Sequence, residues 1–417
     1  MNQVQSSFHT SLSEELKWRG FFAENTITDP RSLDSRPHKN FYWGTDPSAD
    51  SLHVGHLAAL MMCACFVRHG YTPFYLVGGA TGQIGDPKET AERDLKSLDE
   101  IAKNKAALAA QIVHVTHSPK DTKILDNLDW FKDIKFLPFL REIGKAFSMT
   151  QLLDRQFVQH RIGKDGSGIS YAEFSYTLIQ GYDFLHLFRT HQIDLQLCGA
   201  DQYGNCTSGM HLIRRLENAR ADVYSCPLIL DQSGKKLSKS EGNAVWLDPT
   251  KTNVFDFYQY WLNQPDAVLE SYLKQFTLIS PTELDDLLTK HTKDPSKRLA
   301  QRYLAYAVTE FVHSQPDADL ARKLTSLLFE STDLANDLTS LTDAELDAMT
   351  ATLPSTPAKT TLIDALLSTQ LATSKNDAKK LIAAGAISIN GTKATTDQAI
   401  DTLSLLKKGK NKFAIVR

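Results

Sequence analysis

The sequence predicts an α/β fold in which a parallel-sheet domain is followed by an α-helical domain and a small basic α+β domain. Three observations predict it. Two buried-strand patterns end in polar, glycine-bearing turns, helical patterns lie between them, and basic residues concentrate in the last 60 residues. With 417 residues, the chain is long enough for several compact domains.

The strand patterns define the parallel sheet. The apolar run at 74–77 leads into the turn 78–87, and the run at 193–199 leads into 200–205. A helical pattern at 174–189 separates them. Strands that alternate with helices form parallel sheets, whose ligands bind at the carboxyl ends of the strands. We therefore expect both turns to contribute to one site.

The middle of the chain predicts helices. From 253 to 314, apolar residues such as Phe255, Tyr258 and Trp261 recur at helical spacing. Segment 315–357 carries eight acidic and two basic residues and ends in a proline-bearing stretch typical of a linker. The expected divisions are a sheet domain at 1–245, a helical domain at 246–330, an acidic segment and linker at 331–357, and a basic domain at 358–417.

The basic domain has a net charge of +6 in a chain whose total is −3. Ser374 is placed to cap a helix, and Asn390-Gly391 predicts a hairpin turn. Lys375 and Lys379 share one helix face, for which plain solvent exposure is the alternative. A later basic cluster consists of Lys407, Lys408, Lys410 and Lys412. This charge favours contact with an RNA backbone.

Composition excludes several other classes. The five cysteines show neither a disulfide framework nor zinc-binding spacing, so buried free thiols are expected. No apolar run is long enough to span a bilayer, and the first residues resemble no targeting signal. We predict a cytoplasmic protein without a tightly bound metal ligated by its side chains.

Two histidines mark the start of another helix. His53 and His56 flank Gly55 just before the helical pattern at 57–69. A helix N-terminus offers unpaired N–H groups and a positive dipole, which suit a phosphate group, and Gly55 permits close approach of a nucleotide. Capping or core histidines are the alternative, and a metal site lacks a third ligand.

A lysine-rich segment lies far downstream. Lys235, Lys236 and Lys239 fall within the polar stretch 231–240, which alone is typical of solvated surface. Together with His-Val-Gly-His, this Lys-Lys-Leu-Ser-Lys-Ser segment resembles the paired "HIGH" and "KMSKS" signatures of class I aminoacyl-tRNA synthetases. The resemblance implies a Rossmann-like catalytic domain over 1–245, with ATP and Mg²⁺ as substrate and accompanying ion.

Further residues resemble the tyrosine-specific members. Segment 41–53 is similar to their Y-x-G-x-D-P-T-A-D-S-L-H stretch, and Tyr176, Gln180 and Asp183 match their Y-x-x-x-Q-x-x-D. These three side chains share one side of a helix, where an exposed polar stripe is the alternative. The basic domain is similar to an RNA-binding fold of a small-subunit ribosomal protein. The resemblance implies a bacterial-type tyrosyl-tRNA synthetase that activates tyrosine with ATP and transfers it to tRNA.

The resemblance also implies residue roles. The tyrosine site would comprise Tyr42 and Asp183 at the phenol, Asp86, Tyr176 and Gln180 at the ammonium group, and Gln202 at the carboxylate. The ATP site would comprise Gly44, Asp46, Gly199 and Asp201 at the nucleoside, Ser48, His53 and His56 at the phosphates, and Lys236, Lys239 and Ser240 at the pyrophosphate.

Three alternatives stay open at this point. The first is activation of tryptophan, for which the pocket would need an acceptor for an indole N–H. A noncatalytic RNA-binding protein is a second alternative, and a small-molecule nucleotidyltransferase is a third. The intact His53, His56, Lys236 and Lys239 argue against the second, and the basic domain argues against the third. The resemblance further implies a homodimer, for which the apolar stretch 131–137 is one candidate contact.

Overall fold

The computed structural model describes residues 10–87, 95–153, 156–163, 166–229, 244–409 and 412–417. The helices are α1 (Leu12–Arg19), α2 (Val54–Arg68), α3 (Thr81–Ile84), α4 (Leu98–Val115), α5 (Leu128–Phe131), α6 (Phe136–Glu142), α7 (Met149–Leu153), α8 (Gln156–Ile162), α9 (Tyr171–His191), α10 (Tyr203–Glu217), α11 (Val254–Leu262), α12 (Asp266–Phe276), α13 (Pro281–Lys293), α14 (Leu299–Val312), α15 (Gln315–Glu330), α16 (Leu334–Thr339), α17 (Asp343–Thr352), α18 (Leu362–Ser368) and α19 (Lys375–Ala383).

The strands are β1 (Asn40–Thr45), β2 (Thr72–Val77), β3 (Lys123–Leu125), β4 (Leu195–Gly199), β5 (Asp222–Cys226), β6 (Ser355–Thr356), β7 (Thr360–Thr361), β8 (Ile387–Ile389), β9 (Thr392–Lys393), β10 (Ala399–Ile400), β11 (Ser404–Lys408) and β12 (Lys412–Val416). The chain forms two compact units. The first comprises 1–252 and 264–304, and the second comprises 253–263 and 305–417.

The first unit contains the predicted parallel sheet. Its strand order is β3-β2-β1-β4-β5, and every neighbouring pair is parallel. The order reverses between β1 and β4, where the connections leave toward opposite faces of the sheet. In open α/β sheets this reversal creates a crevice at the carboxyl ends of the two strands. The Rossmann-like fold expected from the sequence is confirmed.

Three helices flank the crevice because their sequences allow close packing. The α2 helix is almost entirely apolar and buried, as a helix lying on the sheet must be. On the other face, α9 and α10 cross closely, and a Cβ on Gly209 would lie only 2.5 Å from Phe184 Cβ. Glycine therefore sets the separation of these two helices, of which α9 carries the candidate site residues Tyr176, Gln180 and Asp183.

The second unit is built on a sheet of order β6-β12-β11-β8-β9. One face packs on α18 and α19 through residues such as Leu366 and Leu406. The other packs on α11 and on α15 to α17 through residues such as Met349 and Phe413. Both faces of this sheet are therefore covered by helices of the same unit.

The second unit contains the helix cap and the hairpin turn that the sequence predicts. The Ser374 side chain accepts a hydrogen bond from the Asp377 N–H at the start of α19. Asn390 and Gly391 both have positive φ, 47° and 83°, which is the backbone of a type I′ turn, and they join β8 to β9. The predicted hairpin is confirmed.

The domain boundaries differ from those expected. Segment 331–357 contains α16 and α17 rather than only a linker, and Leu338 and Met349 belong to the core of the second unit. Apolar residues recur there at helical spacing while the acids lie outside, so counting charge alone misjudged the segment. The helices expected at 246–330 are likewise divided between the two units.

The cysteines are buried and free of disulfides, as predicted. Among the described residues, no helix is both long enough and apolar enough to cross a membrane.

Candidate active site

His53 and His56 lie at the N-terminus of α2, at the carboxyl edge of the sheet. The His53 Nδ1 accepts a hydrogen bond from the Gly55 N–H at 3.0 Å, and the His56 Nδ1 accepts one from the His53 N–H at 3.3 Å. The two histidines thus form a reciprocal capping box. The capping role that the sequence left as an alternative is real, and it orients both rings.

These caps determine which ring nitrogen carries the proton. In a neutral imidazole one nitrogen accepts and the other donates. Because Nδ1 accepts a backbone N–H in both rings, we assign the proton to Nε2. The ring centroids are 4.1 Å apart. The helix N-terminus therefore presents two adjacent imidazole N–H donors, the arrangement expected for binding an anion.

A second group of residues is buried around Asp183 of α9, and the residue roles that the resemblance implies make it the candidate amino acid pocket. The carboxylate of Asp183 accepts hydrogen bonds from Asn127 Nδ2 and Trp130 Nε1, both at 3.0 Å. Burial raises the pKa of Asp183 well above its ordinary value, and these two donors oppose that rise. The sequence missed Asn127 and Trp130, since only the packing of α5 against α9 brings them to Asp183.

Tyr42 completes this pocket from β1. Its hydroxyl is buried and makes no hydrogen bond to any described residue, although the Gln196 amide is close enough to influence its pKa. Burial raises the Tyr42 pKa well above its ordinary value, and the nearby Cys206 and Asp183 add to the rise. The hydroxyl therefore keeps its proton and stays a donor. An orphaned buried hydroxyl beside a carboxylate indicates a site for a polar ligand group.

A third group is centred on Asp86. Asp86 accepts hydrogen bonds from Gln202 Nε2 at 2.8 Å and from Asn205 Nδ2 at 3.1 Å. The Gln180 Oε1 is buried without a hydrogen bond among the described residues. The sequence missed Asn205, although it stands in the same turn as Gln202, three residues later.

Tyr176 links this group to the crevice. Its hydroxyl donates to Asp46 Oδ2 at 2.8 Å, and burial raises its pKa well above the ordinary value. The resemblance assigned Tyr176 to the amino acid and Asp46 to the nucleoside. The two side chains touch, so the predicted amino acid and nucleoside sites are adjacent.

The remaining crevice residues follow β1 and β4. Gly44 belongs to β1, and Ser48 is exposed just beyond it, with its N–H bonded to Asp46 O at 2.8 Å. Gly199 ends β4, where a Cβ would lie 2.7 Å from Asp201 Oδ1. Asp201 itself is exposed. Lys236, Lys239 and Ser240 lie outside the described residues.

The predicted RNA-binding lysines do not all share one surface. Lys375 and Lys379 are exposed on α19. The Lys408 ammonium donates to Leu371 O at 2.7 Å, whereas the Lys407 ammonium lies over the Phe413 ring, 5.2 Å from its centroid. Consecutive strand residues point to opposite faces, so Lys407 and Lys408 lie on different sides of β11. Lys410 lies outside the described residues.

Comparison with known families agrees with this site. The family model described as tRNA synthetases class I (W and Y) matches residues 35–330. The fold and the His-Val-Gly-His cap at the sheet edge therefore belong to a class I aminoacyl-tRNA synthetase. A second model, described as the tyrosine–tRNA ligase SYY-like C-terminal domain, matches residues 345–417.

Full-length relatives identify the family within this class of synthetases. The tyrosine–tRNA ligase of Leuconostoc citreum is 41% identical over 96% of this chain and 98% of its own length. That of Limosilactobacillus fermentum is 39% identical over 98% of this chain and 97% of its own length. The chain belongs to the tyrosine–tRNA ligase family.

Solved structures place the fold in the same group. A C-terminally truncated mitochondrial tyrosyl-tRNA synthetase from Aspergillus nidulans matches with a TM-score of 0.68 and 27% identity, over 77% of this chain and 95% of that chain. Tryptophanyl-tRNA synthetase from Plasmodium falciparum, at 16% identity and a TM-score of 0.54, shares the fold alone. The full-length relatives, rather than the solved structures, favour tyrosine over the tryptophan alternative.

Proposed function

We propose that the chain performs its family's reaction in two steps at the carboxyl ends of β1 and β4: tyrosine and ATP form tyrosyl-adenylate and pyrophosphate, and the tyrosyl group then passes to tRNA. One observation carries the assignment of the amino acid pocket. The Tyr42 hydroxyl is buried without a partner beside Asp183, whose carboxylate is held by two N–H donors.

A phenol suits this pair because it donates to the Asp183 carboxylate and accepts from the Tyr42 hydroxyl. Phenylalanine would leave both buried groups unpaired, and rejection of phenylalanine on this basis is a known property of tyrosine-specific synthetases. Asp86, Tyr176 and the orphaned Gln180 Oε1 would receive the ammonium group, with Gln202 near the carboxylate.

Amino-acid-dependent exchange of labelled pyrophosphate into ATP tests the first step directly. Tyrosine should support exchange, while tryptophan and phenylalanine at equal concentration should not. Exchange with tryptophan alone would reassign the pocket. Transfer of labelled tyrosine to tRNA tests the second step separately, so a noncatalytic RNA-binding protein would fail both assays.

The first step needs placement more than proton transfer. The tyrosine carboxylate attacks the α-phosphorus in line, and pyrophosphate leaves. Because the nucleophile is already an anion, no general base is required, and the chain supplies orientation and donors for the charge growing on the phosphates. His53 and His56 would donate through Nε2, with Ser48, Lys236, Lys239 and Ser240 completing the phosphate site.

The nucleoside would lie along the strand ends. Gly44, Asp46, Gly199 and Asp201 would contact it, with the Asp201 carboxylate accepting from the ribose hydroxyls. Mg²⁺ would arrive with the triphosphate and neutralise part of its charge. Within the described ranges, no three His, Cys, Asp or Glu side chains are grouped to hold a metal ion.

In the second step the terminal ribose hydroxyl of tRNA attacks the mixed anhydride and releases AMP. The exposed α19 lysines would hold the tRNA backbone.

We expect Lys375→Glu/Lys379→Glu to lower kcat/KM for tRNA about 10-fold, because two favourable phosphate contacts become repulsive. Aminoacylation at several salt concentrations measures the effect, which should shrink as salt rises.

The matched control is Lys375→Arg/Lys379→Arg, which keeps both charges and should charge tRNA at close to the wild-type rate. Tyrosine-dependent pyrophosphate exchange should be unchanged in both variants. Equal tRNA kinetics in the glutamate variant and the wild type would remove α19 from the proposed RNA surface.

We also propose a homodimer in the cytoplasm. Phe136 and Leu137 of α6 are 62% and 74% exposed, which is unusual for neighbouring large apolar side chains.

Phe136→Glu/Leu137→Glu is expected to convert dimer to monomer, as measured by light scattering after size exclusion. Phe22→Glu changes another exposed aromatic residue, 55% exposed, and should leave the mass unchanged. A wild-type monomer would contradict the proposal.

A further inference from the structure

Trp246 lies directly opposite His53. The two residues form an isolated antiparallel bridge, flanked by hydrogen bonds from Val54 N–H to Val245 O at 2.8 Å and from Leu247 N–H to Leu52 O at 2.9 Å. This pattern makes His53 and Trp246 a non-hydrogen-bonded pair, the arrangement in which facing side chains come closest. Their rings meet edge to face at an interplanar angle of 81°, with centroids 5.8 Å apart.

Trp246 is itself held from several directions. Its backbone N–H donates to Thr252 Oγ1 at 2.9 Å. The Lys251 ammonium lies over the indole, 5.4 Å from the ring centroid, and also pairs with Asp50 at 2.7 Å. The bridge and the Thr252 hydrogen bond hold the backbone of Trp246, while the Lys251 ammonium and the His53 ring contact its indole.

The direction in which the His53 Nε2–H group donates depends on the plane of the imidazole ring. Its Nδ1 is tied to the Gly55 N–H, which restrains one atom of the ring but leaves the ring plane adjustable. His56 contacts it on one side with centroids 4.1 Å apart, and Trp246 contacts it at 5.8 Å. The two aromatic contacts together define the plane and so the direction of the Nε2–H bond.

We propose that Trp246 is a positioning residue for adenylate formation, acting through the His53 imidazole. This inference rests on the proposed role of His53 at the phosphates. No motif in the sequence analysis included Trp246, because its partner stands 193 positions earlier in the chain. The bridge between 245–247 and 52–54 creates the contact.

Single-turnover formation of tyrosyl-adenylate tests the proposal. Trp246→Ala should slow this step about 10-fold, because a small misalignment of a catalytic donor is costly. Trp246→Phe keeps an aromatic ring against His53 and should stay within about 3-fold of wild type. The tyrosine dissociation constant should be unchanged in both variants, which separates positioning from loss of the fold.

The decisive measurement repeats Trp246→Ala in a His53→Ala background. If Trp246 acts through His53, the second substitution should add less than about 2-fold, since the ring it positions is already gone. A further 10-fold loss would mean that Trp246 acts independently and would overturn the proposal. A His53→Ala rate equal to wild type would overturn it as well.

Trp18→Ala provides the matched control. Trp18 is also partly buried and also lies under a lysine, Lys274, at 5.7 Å, but it belongs to α1. Its loss should leave the single-turnover rate within about 2-fold of wild type. Absence of tyrosine-dependent exchange in the wild-type protein would refute the proposed function, whereas an active enzyme with additive variants would refute only the role of Trp246.

Discussion

Asparagine in place of Asp183 is expected to lower kcat/KM for tyrosine in pyrophosphate exchange by about 10³-fold. The change removes a charged acceptor for the phenol. It also turns an amide N–H₂ toward Asn127 and Trp130, which donate to both carboxylate oxygens. A lost charge-assisted hydrogen bond and a buried unsatisfied donor together account for about 4 kcal/mol.

Asp222→Asn is the matched control. Asp222, the first residue of β5, is also a buried aspartate. Its carboxylate pairs with Arg36, away from the pocket. This variant should lose stability and keep its KM for tyrosine. If Asp183→Asn retained the wild-type KM and kcat, the phenol would have to bind elsewhere.

The same carboxylate predicts a pH dependence. Because burial raises the pKa of Asp183 above the ordinary 3.8, the group takes up a proton at a higher pH in the folded protein than in the unfolded chain. Its contribution to stability is therefore present at low pH and is lost as pH rises through the raised pKa. Tyrosine binding should change in the opposite sense, since the phenol needs the ionised acceptor.

Thermal unfolding and tyrosine titration across the acid range measure both effects. The difference between wild type and Asp183→Asn isolates this group from the other carboxylates. The stability difference should move in favour of the wild type as pH falls, while wild-type tyrosine affinity weakens. Parallel pH profiles in the two proteins would show that Asp183 does not titrate in this range.

Removal of the His53 donor is expected to slow adenylate formation by about 10² to 10³-fold, the usual effect of losing one preorganised donor to a developing charge. Tyrosine affinity should be nearly unchanged, because His53 belongs to the proposed phosphate site and not to the proposed tyrosine site. Single-turnover kinetics of His53→Ala measure this, and Lys236→Ala should behave alike. Wild-type rates would refute the assignment.

Alanine also removes the helix cap, so a second variant is needed. Serine caps helices well but is too short to reach a phosphate as imidazole does, so His53→Ser keeps the cap and loses the donor. It should be as slow as His53→Ala while unfolding at a higher temperature. His114→Ala removes an exposed histidine of α4 and should leave the rate unchanged.

Part of the candidate site was predictable from short sequence patterns. The His-Val-Gly-His turn and the turn after β4 each stand at the end of a predicted element. Tyr176 and Asp183 lie within α9 rather than at its end, and only the family resemblance assigned them to the candidate site. The residues that hold Asp183 were not predictable in this way. Asn127 and Trp130 follow a different strand and carry no spacing of their own, so only tertiary packing relates them to α9.

In the second unit, the sequence analysis assigned too little structure to an acidic segment. The sequence analysis took 331–357 as an acidic segment and linker, yet Leu338 and Met349 are buried. An acidic composition describes the outer surface of a helix and says nothing of its inner face. Truncation after Pro357 would therefore expose the core around Met349 as well as remove the proposed RNA contacts, so point substitutions on α19 are the cleaner test.

The covered C-terminal sheet also sets an order of events during synthesis. Strand β12 places Phe413 and Ile415 against the α15 to α17 side and Ala414 and Val416 against the α18 and α19 side. Helix α15 emerges from the ribosome roughly 80 residues before β12, a delay of about 4 to 16 s at ordinary elongation rates. During that interval the apolar face of α15 is open to chaperones. The second unit therefore completes its fold late, after the first unit has had time to form.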